Sequence, residues 1–150
     1  MRVVIQKVLK ASVSIDEKCY ASIGNGLLIF LGIEETDNEE DIDWLCGKIS
    51  RLRVFNDENG IMNLSVCDVN GQILVISQFT LHASTKKGNR PSYIKSAKPE
   101  TATPLYEKFV KQLQEISNLE IKTGVFGAYM KVVLENDGPM TIIIDSKNKE

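Results

Sequence analysis

The chain has 150 residues, 43% of them hydrophobic and 25% charged, which is the composition of a soluble globular protein with one real core. Its formal net charge of -2 argues against a non-specific nucleic-acid binder, although it leaves room for a local basic patch. The three cysteines form no Cys-x-x-Cys pair and there is a single histidine, so we expect no metal, no disulfide framework and no cofactor. Without a signal peptide or a membrane-spanning run, a cytoplasmic protein is expected.

Apolar runs in the first third of the chain predict strands followed by one helix. Val3–Ile5 begins a first strand, and Leu27–Ile33 has the uninterrupted apolar pattern of a central buried strand. Thr36, with Glu39 three residues later, has the spacing of a capping box at a helix start. Apolar residues then recur at helical spacing, which predicts the helix itself. This stripe consists of Ile42, Leu45, Ile49 and Leu52.

The middle of the chain contains the most informative stretch. Asn70-Gly71 lies between apolar runs and predicts a hairpin, and Ile73–Ile76 then reads as a strand buried on both faces. This strand runs into Ser77-Gln78-Phe79-Thr80-Leu81, which we call the polar segment. Polar groups at the end of a central strand either satisfy one another by hydrogen bonds or face a ligand. The stretch alone leaves both interpretations open.

One concentrated basic stretch, residues 84–98, follows the polar segment, and we call it the basic loop. Its cations are Lys86, Lys87, Arg90, Lys95 and Lys98. Such a loop is either a solvated surface loop or a site that holds the phosphates of a polyanion. The charge pattern by itself favours neither interpretation.

The last third of the chain predicts a second helix and further strands. The helix begins between Pro99 and Pro104, because proline is tolerated in a first turn, and it ends near Asn118. Its apolar stripe is Leu105, Phe109, Leu113 and Ile116. Strands are expected at Leu119–Lys122, Val132–Leu134 and Thr141–Ile144, with a turn at Asn136–Pro139 between the last two.

Strands outnumber helices and most connections are short. The sequence therefore predicts an α/β protein in which mixed, mostly antiparallel sheets carry two main helices on one side. We see no linker or internal repeat, so residues 1–150 are expected to form a single domain. The polar residues from about 146 to 150 are expected to be a frayed tail.

Two motifs together carry a resemblance to a known family. They are the polar segment and Asn136-Asp137-Gly138-Pro139-Met140-Thr141, which we call the Gly-Pro segment. With Lys87–Ser92 and Thr123–Ala128 between them, the chain resembles D-aminoacyl-tRNA deacylase over nearly its whole length. The pair of motifs in this order and at these distances is highly specific, whereas either motif alone would be weak.

The resemblance implies both a fold and a function. The family has a compact three-layer β/β/α single domain and works as a homodimer with active sites at the subunit interface, away from membranes. It hydrolyses the ester that joins a D-amino acid, or glycine, to the 3′ end of tRNA and spares L-aminoacyl-tRNA. Such an enzyme is a chirality proofreader in translation, and glycine mischarged on tRNA(Ala) is an expected substrate.

The same resemblance implies a chiral gate made by Gly138 and Pro139. In the family this Gly-Pro peptide is cis and projects into the pocket of the partner subunit. A rigid backbone there can hold the substrate amine while the walls reject an L side chain by clash. Read from the residues alone, the same stretch is an ordinary hairpin turn.

Ester hydrolysis needs a stabilised oxyanion and a delivered nucleophile. The backbone N–H groups of Phe79 and Thr80 are the candidate oxyanion donors, and Ser77 and Gln78 would hold the adenosine or the water. Thr80 carries a hydroxyl but has no evident base, and the neighbouring His82 is expected to be structural. The resemblance implies instead that water attacks with help from the 2′-hydroxyl of the terminal adenosine.

The remaining site residues also follow from the resemblance. Candidate pocket residues are Phe126, Met130, Asn136 and Thr141, although Phe126 and Met130 fit ordinary core packing equally well. Candidate tRNA-binding residues are Lys86, Lys87 and Arg90. Position 7, usually arginine in the family, is Lys7 here and is expected to support the gate less rigidly. Two rival functions remain open: a tRNA-binding module without catalysis, and a deacylase without preference for D over L side chains.

Overall fold

Eight strands, two α-helices and one 3-10 helix appear in a computed structural model that describes all residues from 1 to 150. In chain order these elements are β1 (Arg2–Ile15), β2 (Lys18–Ile23), β3 (Gly26–Gly32), α1 (Glu39–Arg51), β4 (Phe55–Asn56), β5 (Met62–Leu64), β6 (Gln72–Ser77), the 3-10 helix (Phe79–His82), α2 (Pro99–Ser117), β7 (Ile121–Thr123) and β8 (Lys131–Asp145). The predicted mixture of strands with two main helices is confirmed.

The main sheet has the strand order β2-β1-β3-β6-β7, and β8 lies along the other side of β1. The β1 strand is antiparallel to β2, β3 and β8, whereas β3–β6 and β6–β7 are parallel pairs. The first half of β1 pairs with β3, and its second half pairs with β2. Because both halves also pair with β8, these two long strands pass from one β layer into the other.

Two cores separate the three layers. The larger core, with 23 buried residues, lies between the main sheet and both helices, and the smaller, with seven, lies between the two β layers. Alternate residues of β3 point to opposite cores, Leu27 and Ile29 to the larger and Leu28 to the smaller. The strands β3 and β6 are thus buried on both faces, as their continuous apolar runs predict. The β/β/α arrangement is confirmed.

The helix α1 begins two residues later than the sequence suggests. Its N-cap is Asn38, whose side chain accepts from the Glu40 N–H, while the Asp41 carboxylate accepts from the Asn38 N–H (2.9 Å). The predicted cap at Thr36 is wrong because Asp37 closes a separate turn, where its carboxylate accepts from the Glu34 N–H (2.8 Å). Asn38-x-x-Asp41 supplies the same reciprocal bonding as the predicted box.

The helix α2 has the predicted bounds, but its buried stripe is rotated. Tyr106 and Ala102 are buried with Phe109 and Leu113, whereas Ile116 is 44% exposed. The helix ends at Asn118, which adopts the left-handed conformation common at helix C-termini. Neither helix is both long and apolar enough to cross a membrane.

The hairpin predicted at Asn70-Gly71 is wrong. Asn70 does adopt a positive φ of 48°, but the strand that follows, β6, pairs in parallel with β3 and β7. The turn instead places Gly71 between the Val66 side chain and the backbone of Asn25 and Gly26. The turn itself forms as predicted, but the strand that follows it pairs with β3 and β7 and not with the preceding segment.

The Gly-Pro segment is a bulge inside β8 and not a turn between two strands. Gln6 pairs with Thr141 and Val8 pairs with Asn136, so residues 137–140 of β8 stand opposite a single β1 residue, Lys7. The Gly138-Pro139 peptide is cis, and Gly138 has a φ of 125°. Both flanks of the bulge pair with β1, which is why no hairpin forms.

The tail beyond β8 is held at its first residues, where fraying was expected. Ser146 is buried, and its N–H donates to the Met1 carbonyl (2.9 Å). The Lys147 ammonium group then donates to the Asp41 carboxylate (2.8 Å). Beyond this anchor, the Lys149 ammonium group lies 4.8 Å from the centre of the Trp44 ring.

Candidate active site

The polar segment begins where β6 ends. Ser77 is the last residue of the strand, and the Gln78 N–H still donates to the Leu31 carbonyl of β3 (2.8 Å). The chain then leaves the sheet in the 3-10 helix that starts at Phe79. His82 consequently points inward, is 3% exposed, and lies with its Nδ1 3.4 Å from Glu34. The sequence interpretation of His82 as structural fits this burial.

Two backbone N–H groups are presented at the start of the 3-10 helix. The first N–H bonded within it is that of Leu81, which donates to the Gln78 carbonyl (3.3 Å). The preceding N–H groups, those of Phe79 and Thr80, have no helical carbonyl in front of them to accept. The Thr80 hydroxyl accepts a hydrogen bond from the Gln78 amide. The polar segment therefore presents two N–H donors to a ligand. It contains no base that could deprotonate the Thr80 hydroxyl.

Gly32 fixes the position of the polar segment. A Cβ atom at Gly32 would lie 2.9 Å from the Leu81 Cβ and 3.0 Å from the Gln78 carbonyl oxygen. Only glycine lets β3 approach so closely. From the other side, Arg2 Nη1 donates to the Leu81 carbonyl (2.7 Å). These contacts hold the segment against the end of the sheet.

A cavity of about 270 Å³ opens beside the polar segment, and eleven of its fourteen lining residues are hydrophobic. Ser77, Gln78 and Phe79 form one side, and the loop from Phe126 to Met130 forms the other. A mostly apolar cavity with a few convergent polar groups is the usual form of a small-molecule site. The structure thus brings together five of the predicted site residues.

The structure adds two aromatic residues that the sequence analysis did not select. Tyr106 packs edge-to-face against Phe126 (ring centroids 5.7 Å apart) and donates its hydroxyl to the Val75 carbonyl (2.8 Å). Burial raises the pKa of Tyr106, so it stays a neutral donor. Tyr129 lines the cavity and is 86% exposed. The sequence does indicate that Tyr106 is buried, because it lies three residues before Phe109 and residues at that spacing share one helix face.

Asn136 and Thr141, predicted as pocket residues, do not line this cavity. The Asn136 amide donates to the Lys7 and Met140 carbonyls (both 2.9 Å), and the Thr141 hydroxyl accepts from Gln6 (3.2 Å). Both residues therefore belong to the Gly-Pro segment within their own chain. The Lys7 ammonium group adds an ion pair with Asp137 at 3.1 Å.

The Gly-Pro segment and the cavity lie at opposite ends of β3. Lys7, opposite the bulge, pairs with Leu27, whereas Arg2 pairs with Gly32 beside the polar segment. Five residues of strand separate these two pairs, which is roughly 17 Å at the usual rise per residue. Gly138 and Pro139 are both exposed, so they are available to another molecule.

The basic loop starts from the 3-10 helix and returns to the cavity. Two backbone hydrogen bonds between Ser84 and Ser92 (2.8 and 2.9 Å) close its base, and Ala97 at its end lines the cavity. The three predicted tRNA-binding residues are exposed on this loop: Lys86, Lys87 and Arg90. None of the three takes part in an ion pair. Their charges are unneutralised by protein carboxylates.

No group of three or more histidine, cysteine, aspartate or glutamate side chains is placed to hold a metal ion. Burial, and then the charge of Asp43, raise the pKa of Cys46 to about 12. Burial also raises the pKa of Cys67, beside Asp68. These two thiols are therefore protonated and poor ligands or nucleophiles at neutral pH.

A mostly apolar cavity beside two backbone donors and polar side chains can bind a carbonyl-containing ligand and stabilise negative charge on its oxygen. A sequence model of the family described as D-Tyr-tRNA(Tyr) deacylase matches residues 4–145. The chain belongs to this family of aminoacyl-tRNA deacylases, and the resemblance seen in the two motifs is confirmed.

Individual relatives agree with the family assignment. Over 100% of both chains, the protein is 64% identical to a D-aminoacyl-tRNA deacylase of Bacteroides thetaiotaomicron and 66% identical to one of Bacteroides fragilis. A solved structure of a c-Myc DNA unwinding element binding protein is 40% identical, with a TM-score of 0.91 over 97% of this chain and 98% of that one. A probable eukaryotic D-amino acid tRNA deacylase shares the fold at 15% identity, with a TM-score of 0.82 over 95% and 97% of the two chains.

Proposed function

We propose that the chain hydrolyses the ester between a D-amino acid and the 3′ end of tRNA, and does so as a chirality proofreader in the cytoplasm. Glycine mischarged on tRNA(Ala) is the second proposed substrate. The observation that carries the proposal is the apolar cavity beside the N–H groups of Phe79 and Thr80, in a member of the deacylase family. Residues 1–150 act as one domain, because β1 and β8 contribute to both β layers.

The proposed chemistry uses the polar segment as a binding surface for the reacting ester. Water adds to the ester carbonyl carbon, and the N–H groups of Phe79 and Thr80 donate hydrogen bonds to the developing negative oxygen. The bond from that carbon to the 3′-oxygen breaks, and the 3′-oxygen takes the proton that the attacking water gives up. The side chains of Ser77 and Gln78 hold the adenosine or the water, while the 2′-hydroxyl of the adenosine assists the attack. Positioning of this kind supplies several kcal/mol, roughly, of barrier reduction.

Thr80 contributes its backbone in this mechanism and not its hydroxyl as a nucleophile. The hydroxyl accepts a bond from the Gln78 amide, and the nearest histidine, His82, is buried and turned toward Glu34. An unactivated hydroxyl is a weak nucleophile at neutral pH. We expect Thr80→Ala to retain activity within about tenfold of wild type, whereas loss of a covalent nucleophile costs about 10⁴-fold or more. A loss of that larger size would contradict the backbone role.

The chiral gate is proposed to act between subunits. Gly138 and Pro139 lie opposite Lys7, at the end of β3 that is roughly 17 Å from the cavity of their own chain. A gate at that cavity therefore has to come from a second copy. The outer edge of β8 pairs with no other strand, and Ile143 and Val133 on this strand are 68% and 67% exposed. An unpaired, apolar edge strand favours association with another chain. These features support a homodimer.

The basic loop is proposed to bind the tRNA. Lys86, Lys87 and Arg90 are exposed, carry no ion pair and lie on a loop that joins the 3-10 helix to the cavity wall. Cations in this position would neutralise the phosphates near the 3′ end. Binding is then expected to weaken steeply with salt, in proportion to the number of phosphate contacts.

The decisive experiment charges one tRNA with D-tyrosine and with L-tyrosine and follows release of the amino acid by purified protein. We expect the D-ester to be cleaved with a preference of roughly a hundredfold or more over the L-ester. Glycyl-tRNA(Ala) is assayed beside them. If tRNA binds while both tyrosyl esters persist, the protein is a binding module without turnover, and if both are cleaved equally, it lacks chiral selection.

A subunit-mixing experiment tests the gate. The variant Gly138→Ala/Pro139→Ala is expected to lose its preference for D-esters over L-esters. Alanine at position 138 would be strained by the positive φ, and its Cβ would lie 3.0 Å from the Met140 nitrogen. Ala128→Trp should fill the cavity and abolish turnover. Mixing the first variant with excess of the second restores the preference only if the gate acts in a partner's cavity. A mixture that behaves as the sum of its parts places the gate within one chain.

A further inference from the structure

An exposed aromatic pair joins the polar segment to the basic loop. The rings of Phe79 and Tyr93 meet edge-to-face with centroids 4.9 Å apart, and the two residues remain 55% and 40% exposed. Phe79 belongs to the 3-10 helix and Tyr93 to the basic loop. The Ser96 hydroxyl donates to the Phe79 carbonyl (2.8 Å), and the Ser96 N–H donates to the Tyr93 carbonyl (3.0 Å). These bonds hold the two rings in a fixed relation.

The aromatic pair extends from the cavity wall toward solvent. Phe79 lines the cavity, whereas Tyr93 does not, so Tyr93 stands one ring farther out. The two ring centroids lie 4.9 Å apart. This distance is on the order of the spacing between successive nucleotides in a single strand, which is about 3.4 Å when the bases are stacked and larger when the strand is extended. A ligand whose terminal group fills the cavity would carry its next group across this pair.

The charges around the pair favour a single-stranded nucleic acid as the occupant. The basic loop carries Lys86, Lys87, Arg90 and Lys95, and none of these pairs with a carboxylate. Aromatic faces flanked by unpaired cations are the usual surface for unpaired nucleotides, with bases stacked on the rings and phosphates on the cations. A purely apolar partner would leave these cations without counter-charges.

We propose that Phe79 and Tyr93 form a stacking platform for the base of the nucleotide that precedes the terminal adenosine of the substrate tRNA. This inference rests on the proposed function, because it takes the terminal adenosine to be at the cavity. The base stacks on the Tyr93 ring, while Phe79, whose ring plane lies at 71° to that of Tyr93, borders the base on the cavity side. The phosphate of this nucleotide meets the basic loop. The platform thereby extends recognition of the tRNA one nucleotide beyond the cavity.

A protein–substrate double-mutant cycle tests the platform. D-tyrosyl-tRNA is prepared with its normal penultimate cytidine and with an abasic residue there, and each is assayed with wild type, Tyr93→Leu and Tyr93→Phe. We expect the abasic substrate and Tyr93→Leu each to lower kcat/KM about tenfold, the size of one base–aromatic stack. Combined, they should lower it no further than either alone. Tyr93→Phe, which keeps the ring, should match wild type.

Three outcomes would overturn the platform. The first is additive losses in the cycle. The second is an equal effect of Tyr93→Leu on the D-tyrosyl ester of adenosine, which has no preceding nucleotide and would reveal a structural role for the ring. The third is dissociation of the Tyr93→Leu variant into monomers, measured by sedimentation velocity. That result would mean that the aromatic pair contacts a second copy of the chain instead of a nucleotide.

The platform can be separated from the proposed function by a binding measurement. If wild type cleaves no D-ester, the proposed function fails, and the platform is then judged by affinity for the uncharged trinucleotide CCA. We expect CCA to bind about tenfold more tightly to wild type than to Tyr93→Leu, and this difference to vanish for CCA with an abasic middle position. Equal affinities of the two proteins for CCA would refute the platform independently of catalysis.

Discussion

The ammonium group of Lys7 lies 3.1 Å from the carboxylate of Asp137, the residue immediately before Gly138. The Lys7 side chain is 7% exposed, so this ion pair ties the Gly-Pro segment to the interior of the protein. We expect Lys7→Met to lower the ratio of kcat/KM for D- over L-tyrosyl-tRNA by about tenfold or more, because Asp137 loses its anchor. Lys7→Arg should retain or raise the ratio, because guanidinium also pairs with carboxylate and does so more rigidly.

Lys10→Met is the matched control for Lys7→Met. Lys10 pairs with Glu135 at 3.3 Å across the same two strands, but its side chain is 74% exposed. Exposed ion pairs contribute little, so neither selectivity nor stability should change by more than about 1 kcal/mol. Equal effects of the two methionine variants would mean that burial of the Lys7 pair is irrelevant to the gate.

Asn136 holds both ends of the Gly-Pro segment with one amide group. Its two N–H bonds, to the Lys7 and Met140 carbonyls, are both 2.9 Å long. Asn136→Ala removes the amide bond from two partly buried carbonyls and should lower the free energy of unfolding by about 1–3 kcal/mol, measured by urea titration. The preference for D-esters should fall with it. Asn63→Ala, at an exposed asparagine bonded only to Arg53, should change neither quantity.

The elements that depend on local signals could be predicted from the sequence. The continuous apolar run of β6 indicated a strand buried on both faces. The polar residues after it indicated a strand end that either satisfies its own hydrogen bonds or faces a ligand, and the structure shows both a Gln78–Thr80 hydrogen bond and a cavity. Both conclusions use only the chemistry of neighbouring residues. The bounds of α2 follow from Pro99 at its start and Asn118 at its end for the same reason.

The features that the sequence analysis missed depend on contacts between distant residues. Asn136–Pro139 has the composition of a turn, and only the pairing of both its flanks with β1 makes it a bulge. Asn70-Gly71 is likewise a real turn whose following strand, β6, pairs with β3 instead of its neighbour. The hydrogen bonds of Asn136 to the Lys7 and Met140 carbonyls likewise join residues that the sequence does not show to be close.

Gly32 offers a test of how closely β3 must approach the polar segment. A methyl group there would lie 2.9 Å from the Leu81 Cβ and 3.1 Å from a ring carbon of His82, so the 3-10 helix would have to shift. We expect Gly32→Ala to lower kcat by about tenfold or more with a smaller effect on tRNA binding, because the donors move while the basic loop remains. Gly24→Ala is the control, since its Cβ would meet only the Gln72 side chain, at 3.4 Å. Unchanged kcat in Gly32→Ala would show that the segment tolerates displacement.

The ion pair between Arg2 and Asp145 predicts how stability depends on pH. Arg2 donates to Asp145 through two nitrogens (2.9 and 2.7 Å) and also to the Leu81 carbonyl of the polar segment. Burial raises the pKa of Asp145, but hydrogen bonds from the Lys147 N–H and the Arg2 guanidinium lower it more, so the net pKa is below its ordinary value.

A carboxyl group with a lowered folded pKa stabilises the protein above its unfolded pKa of about 3.9 and loses this contribution as the pH falls through the folded value. Asp145→Asn should therefore be less stable than wild type at pH 7, and the difference should shrink as the pH falls below about 4. Urea titrations of both proteins at pH 7, 5, 4 and 3 measure the difference directly. Parallel losses of stability in the two proteins over this range would show that Asp145 does not carry the effect.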